Sequence, residues 1–346
     1  MLKMLKKCVT LFIGVIFILG LVGCSQSTQG QNGKGKTIGE QEQKENKSKS
    51  NYPVNIKVYT DEGKEIVQTI EKEPKRVVIM GQSMAELMIK FGLQDKVVGI
   101  GYLDKSFSKY DDEISKMPII EKSWPSKEAI IALKPDIIYS MSSAFKEDRV
   151  GDISFWNDRG IPVLPAVNFT IGRSIDEYFK DIKNFGLAFN IENETNKYLK
   201  EQKDRMDKVK EVAKKAKTTP NVLLVASAGR ENYDYYPPSG CIIDEVIEDA
   251  GGKYIELSKD SYMEMSIESI IAANPEKIII TEFQGSNKEK IKNKILSNKR
   301  LQNVTAIKTG NVMVVDYTNA IRGSLELSDL YEDVAKFIHP ELFGGN

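Results

Sequence analysis

Only eight of the 49 basic residues are arginines, and two of these stand where a small molecule could be held. Arg230 follows the apolar run Val222–Ala226 and Gly229, and Tyr233, Tyr235 and Tyr236 come before Pro237-Pro238. Arg322 follows a later apolar run that ends at Asp316. A planar guanidinium beside phenol rings suits an anionic, aromatic or oxygen-rich ligand. The tyrosines cannot all face one way, because neighbours in an extended stretch point to opposite sides. Tyr102 and Trp124 sit in loops, where a flat ring buries ligand surface at little entropic cost. For all of these the competing reading is ordinary packing or surface placement. Trp156 lies inside a helical pattern and reads as packing.

Catalysis fits the residue types poorly. His339 is the single histidine and stands next to Pro340, so a site needing two or three imidazoles is excluded. Cys8, Cys24 and Cys241 match no thiolate site and no disulfide framework. Cys241 reads as packing at a helix start. The chain has no G-x-S-x-G elbow and no phosphate-binding G-x-x-x-x-G-K-S/T. With 49 basic against 49 acidic groups it lacks the excess of a nucleic-acid binder. No catalytic residue, cofactor or metal site is therefore expected. Two other classes stay open: a glycosidase-like hydrolase, which would show two close acids in a cleft, and an adhesin without a cleft.

The elements that must position these residues alternate. Val54–Ile70 reads as a hairpin around Asp61-Glu62-Gly63-Lys64. Strands are expected at Arg76–Met80, Val97–Ile100, Asp136–Ser140 and Pro162–Pro165. Between them lie helices Met84–Phe91, capped by Ser83, Lys127–Leu133 and Ile153–Arg159. Ser174–Phe189 reads as a helix. A second, Glu192–Lys217, carries Leu199, Met206, Val209, Ala213 and Ala216 on one stripe. The strand–helix pattern then restarts, with strands Val222–Ala226, Lys277–Thr281 and Val312–Asp316. Helices are expected at Gly240–Ala250, Ser266–Ala273, Asn287–Ser297 and Ser324–Ile338. This alternation predicts an α/β chain with mostly parallel sheets.

The sequence also echoes itself. Glu128 to Ser140 and Glu268 to Ile280, offset by 140 residues, share Glu, Ile, Ile, Ala, Pro and a later Ile. Two copies flanking the long helix predict two related lobes.

The first residues differ. Lys3, Lys6 and Lys7 precede an apolar run from Cys8 to Val22, too short for a comfortable span. The run ends in Leu21-Val22-Gly23-Cys24, which resembles the lipobox of bacterial lipoproteins, where the cysteine is lipidated. Ser25–Asn51 has Ile38 as its one large apolar residue and reads as a disordered tether. The expected organisation is a signal peptide (1–23), a linker (24–52), an N-terminal lobe (53–189), an interlobe helix (190–217) and a C-terminal lobe (218–346).

The folded part resembles the substrate-binding lipoproteins of ABC importers for iron–siderophore, haem and corrinoid complexes, the group with a rigid interlobe helix. Pro74-Lys75-Arg76-Val77-Val78, Ala85-Glu86-Leu87, Val98-Gly99-Ile100-Gly101-Tyr102, Glu128–Asp136, Ile161-Pro162-Val163, Glu268–Pro275 and Gly310-Asn311-Val312 carry the resemblance. It implies two α/β lobes joined by a long helix, and a ligand held between them. It also implies an extracytoplasmic, lipid-anchored monomer that delivers its ligand to a permease dimer. Tyr102 and Trp124 match places where such proteins put aromatic groups. Glu128 and Glu268 match the glutamates that dock onto permease arginines; the competing reading is two acids facing helix dipoles. A ferric siderophore is the expected ligand, with haem or cobalamin as alternatives. An axial haem ligand would have to be a tyrosine or one of Met80, Met141, Met263 and Met265, residues that more often fill cores.

Overall fold

β-Branched residues in short apolar runs make the sheets. A computed structural model describes residues 51–344, apart from 105–107, 228–232, 260–262 and 284–286. Arg230 and the lipobox cysteine Cys24 lie outside the described residues. The hairpin β1 (Val54–Tyr59) and β2 (Glu65–Ile70) forms as expected, in antiparallel register from Val54 opposite Ile70 to Tyr59 opposite Glu65. Gly63 turns it with φ 80°, a conformation that costs a glycine little. Ile56, Val58 and Ile70 face inward, and the buried amide of Gln68 accepts from Val163 N at 3.0 Å, fastening the hairpin to the first lobe.

That lobe is a parallel sheet of β3 (Val77–Met80), β4 (Val97–Gly101), β5 (Ile119–Glu121), β6 (Ile137–Met141) and β7 (Val163–Ala166), ordered β5-β4-β3-β6-β7. The second sheet contains β8 (Asn221–Ser227), β9 (Tyr233–Tyr235), β10 (Lys253–Tyr254), β11 (Met263–Met265), β12 (Lys277–Glu282) and β13 (Val312–Asp316). Its order is β11-β9-β8-β12-β13, with β10 also on β8. β8, β10, β12 and β13 run parallel, while β9 and β11 are antiparallel additions. The fold is thus two-lobed α/β, with one parallel and one mixed sheet.

The helix Glu192–Ala213 lies against Ile175–Phe189 of the first lobe and Leu327–Ile338 of the second. At 22 residues it is about 33 Å long. It stops at Lys214, short of the expected Lys217, so Ala216 falls beyond it; Leu199, Met206, Val209 and Ala213 are buried as the stripe predicts. A Cβ on Gly186 would lie 2.2 Å from Thr195 Oγ1, so glycine lets the two neighbouring helices approach closely. On the other side, Arg205 binds Asp329 and Glu332 at 2.7 and 2.8 Å, and Lys210 binds Asp249 at 2.8 Å. No helix among the described residues is long and apolar enough to cross a membrane.

The sequence echo is a structural repeat. Ser126 and Ser266 each cap a helix, accepting from Ala129 N and Ser269 N. Glu128 and Glu268 are exposed, and Ile130 and Ile270 are fully buried. Lys134 and Asn274 each turn the chain with positive φ, 48° and 39°. Asp136 and Glu276 then accept backbone N–H groups from Arg76 and Asn221, the residues that lead into β3 and β8. Shared apolar spacing alone would not reproduce the cap, the left-handed turn and the carboxylate clasp together.

One cap differs from expectation. Ser83 does not cap its helix. It lies inside Gln82–Lys90, which starts at Gly81 with φ 112° and no side-chain cap. The reason is that Gln82 N is already satisfied by Asp104 Oδ1 at 3.0 Å.

Candidate ligand-binding cleft

In open α/β sheets, ligands bind beyond the carboxyl ends of the strands, because the loops there are free to vary. Here the residues that follow β4, β12 and β13 meet across the two lobes. On the first lobe, Gly101 ends β4 against Pro125; an added Cβ would lie 2.6 Å from Pro125 Cδ. Tyr102 then turns with φ 54°, unusual for a tyrosine, and its N donates to Ser123 O at 2.9 Å. This turn lays its ring on Trp124, with centroids 3.8 Å apart and planes at 10°. The guanidinium of Arg149 lies 5.1 Å from the Trp124 ring and is held by Ser143 O at 2.8 Å. Both stacked rings are half-buried, so each keeps surface for a ligand.

The second lobe contributes the turn after β13. Asp316 Oδ1 accepts from Asn319 N at 3.0 Å, and Thr318–Arg322 forms a single π-helical turn, a feature often found at functional sites. Arg322 is buried and ion-pairs with Asp104 of the first lobe, whose side chain is completely enclosed. Its guanidinium lies 5.3 Å from the Tyr317 ring and 6.0 Å from Phe283. Burial alone would lower its pKa. The carboxylate of Asp104, with lesser help from Tyr317 and a hydrogen bond to Tyr102, outweighs this and raises it, so the group stays charged. The Tyr236 and Tyr317 hydroxyls share a hydrogen bond, and Phe283 meets Tyr317 edge-on at 5.1 Å.

A second arginine ties the lobes beneath this layer. Arg173 is 2% exposed. Its Nε donates to Arg322 O at 2.6 Å, its Nη1 binds Asp181 at 2.8 Å and its backbone N donates to Ser239 O at 2.9 Å. Burial raises the Asp181 carboxyl above the usual range, against the opposing pull of Arg173.

Of the residues singled out in the sequence, Tyr102, Trp124, Tyr236 and Arg322 belong to this one connected set. Among the described residues no contact joins Tyr233 to it: on β9 Tyr233 approaches Asn298 and is half-buried there. Tyr235 is fully buried, donating to Ile255 O at 3.3 Å. Met80, Met141 and Met265 are core residues. Trp156 is fully enclosed and donates to Val150 O at 3.0 Å. Cys241 is enclosed too, and burial pushes its thiol pKa far up. His339 is held between Glu341 and Gly251 O at 2.9 and 3.1 Å.

Sequence reasoning passed over Asp104, Arg149, Arg173, Phe283 and Tyr317. Two of these carried a usable signal. Asp104 stands two residues beyond Tyr102 in the same loop, and Tyr317 directly follows β13.

Residues 77–317 match the sequence profile described as periplasmic binding protein, a span that holds both sheets and the helix between them. The chain belongs to the periplasmic binding protein family. This binding protein is 25% identical over 306 residues to an uncharacterised ABC transporter substrate-binding lipoprotein, YvrC, of Bacillus subtilis (strain 168), covering 87% of this chain and 91% of that one. It is also 25% identical over 261 residues to a cobalamin-binding protein of Halobacterium salinarum, covering 73% of this chain and 66% of that one. Among solved structures it resembles that of an ABC-type Fe3+-hydroxamate transport system from Saccharomonospora viridis. The TM-score is 0.66 and the identity 16%, over 85% of this chain and all of that one, a likeness of fold.

Proposed function

We propose that this chain is the solute-binding component of an ABC importer, without enzymatic activity of its own, and that it captures a ferric siderophore between its lobes. The observation that carries the reading is the layer of Tyr102, Trp124, Tyr236, Tyr317 and Arg322 at the carboxyl ends of both sheets. Rings with a buried guanidinium among them suit a bulky, oxygen-rich complex. The described acids of this layer are engaged, Asp104 by Arg322 and Asp316 by the Asn319 backbone N–H, which supports binding over glycoside hydrolysis. The relationship to a substrate-binding lipoprotein supports transport, and the fold shared with an iron-hydroxamate system supports iron. Cobalamin is the second reading, favoured by the relative that binds it.

On this reading the chain acts as a monomer outside the cytoplasmic membrane, held by lipid on Cys24 after removal of residues 1–23. Residues 24–52 form the tether; 53–189 and 218–346 are the lobes, and 190–217 joins them. Glu128 and Glu268 dock onto the permease dimer. The repeat supports this role, because each exposed glutamate has an exposed isoleucine three residues on: Ile131, 40% exposed, and Ile271, 42%. Residues three apart share a helix face. Each lobe therefore offers one acid and one apolar side chain to a partner made of two like subunits.

Titrating ferric siderophores, haem and cobalamin while following tryptophan fluorescence tests the proposal. Saturable quenching by a ferric siderophore supports it, quenching by cobalamin alone moves the reading to corrinoid transport, and no saturation by any of them overturns it.

A further inference from the structure

We infer that Arg322 is the receptor for an anionic oxygen group of the ligand, and that Asp104 occupies that place until the ligand displaces it. This rests on the cleft being the ligand site. The pair joins the loop after β4 to the π-turn after β13, in the middle of the aromatic layer. Both side chains are buried, at 8% and 0% exposure. An enclosed ion pair is often no more stable than apolar residues of the same volume, so it adds little to the fold itself. What it does supply is an exchangeable contact: one carboxylate can leave the guanidinium only if another anion takes over.

Arg322 is built to accept the newcomer. Its Nε is buried without a hydrogen-bond partner, as is the Thr318 hydroxyl on the same turn. Buried donors without partners are rare and need a reason. The backbone of Arg322 is fixed independently of Asp104, because Arg173 holds its carbonyl, and Tyr317 lies beside the guanidinium. Asp104, by contrast, is held among the described residues by one backbone N–H, that of Gln82, beside Arg322. Two residues earlier, the left-handed Tyr102 is the kind of strained position that persists where the surrounding structure imposes it.

The exchange sets the ligand class. A ligand with a carboxylate, catecholate or phosphate oxygen can replace Asp104 and keep the buried guanidinium neutralised. A neutral trihydroxamate cannot, and has to bind with the pair intact.

The test uses the purified full chain and three variants: Asp104→Asn, which keeps an acceptor for Gln82 N, Arg322→Gln, and Asp104→Ala. Fluorescence titrations use a ferric tris-catecholate, haemin, cyanocobalamin and a neutral ferric trihydroxamate. Asp104→Asn is expected to tighten the anionic probe that binds by about fivefold or more, while the trihydroxamate moves less than about twofold; Arg322→Gln weakens the anionic probe about tenfold or more. Unchanged or weaker anionic binding in Asp104→Asn overturns the inference, as does wild-type binding of the trihydroxamate alone. If no probe binds the wild type, the transport reading fails instead, and a ligand-free arm decides this inference. Sodium formate is expected to raise the melting temperature of Asp104→Ala but not of Asp104→Ala/Arg322→Gln. Equal response to formate in both overturns it.

Discussion

Asp104 and Arg322, 218 positions apart in the chain, form a buried ion pair across the two lobes. Removing either partner leaves the other enclosed and uncompensated. Asp104→Leu and Arg322→Leu are each expected to cost about 3–5 kcal/mol in urea unfolding, and the double variant less than their sum. Additive losses would show that the two residues do not act as a pair.

The Trp124 ring lies on Tyr102 and is half-buried, while Trp156 is sealed in the core. Ligand-induced fluorescence change should therefore come from Trp124. Trp124→Phe is expected to abolish the change while the chain keeps its melting temperature within a few degrees. If quenching persists, Trp156 or a distant effect carries the signal.

Helix crossing makes a sharper test of packing. A methyl group on Gly186 would collide with Thr195 Oγ1. Gly186→Ala is expected to destabilise the protein by about 1–3 kcal/mol in chemical unfolding, and Thr195→Ala in the same chain to relieve part of the loss. Equal stability of Gly186→Ala and wild type would mean the helices separate at no cost.

The two proposed docking faces predict separable effects. Glu128→Gln, Glu268→Gln, Ile131→Ser and Ile271→Ser change exposed side chains, so stability should move by less than about 0.5 kcal/mol. Ligand affinity should not change, whereas ligand uptake by cells carrying the intact importer should fall. Glu268 pairs with Arg300, and no ion pair of Glu128 is present among the described residues. On the proposed docking a partner displaces Arg300 on one side only, and Arg300→Gln is expected to increase uptake or leave it unchanged.

Cys241 provides a chemical check on the second lobe. Burial raises its thiol pKa, which keeps the thiolate scarce at neutral and mildly alkaline pH. Peptide mapping after alkylation at pH 8 should find Cys241 unmodified in the native protein and modified in urea. Rapid native labelling would show that this helix start opens readily.

Much of this architecture is legible before any coordinates. Runs such as Val77–Met80 and Lys277–Thr281 read as central strands of a parallel sheet, since most of their residues are apolar. The echo at 140 residues already contains the paired glutamates and the buried isoleucines. What escapes is what depends on distant partners. Ser83 has the right type for a cap, yet Asp104 satisfies that helix start from 22 residues away. The strands Tyr233–Tyr235 and Met263–Met265 are too short to show a period. Arg173, followed by the helix-capping Ser174, has no local sign that its side chain reaches across to Arg322. Tyr233 and Tyr236 look alike in sequence, and only the edge hairpin separates them.

Trp124 and Glu128 stand four residues apart, with Pro125 wedged against Gly101 and Ser126 capping the helix between them. A cargo that shifts the indole would tug the first turn of that helix, and so the acid proposed to meet the importer. On that proposal, one short stretch of backbone links occupancy to docking, with no need for the halves to swing.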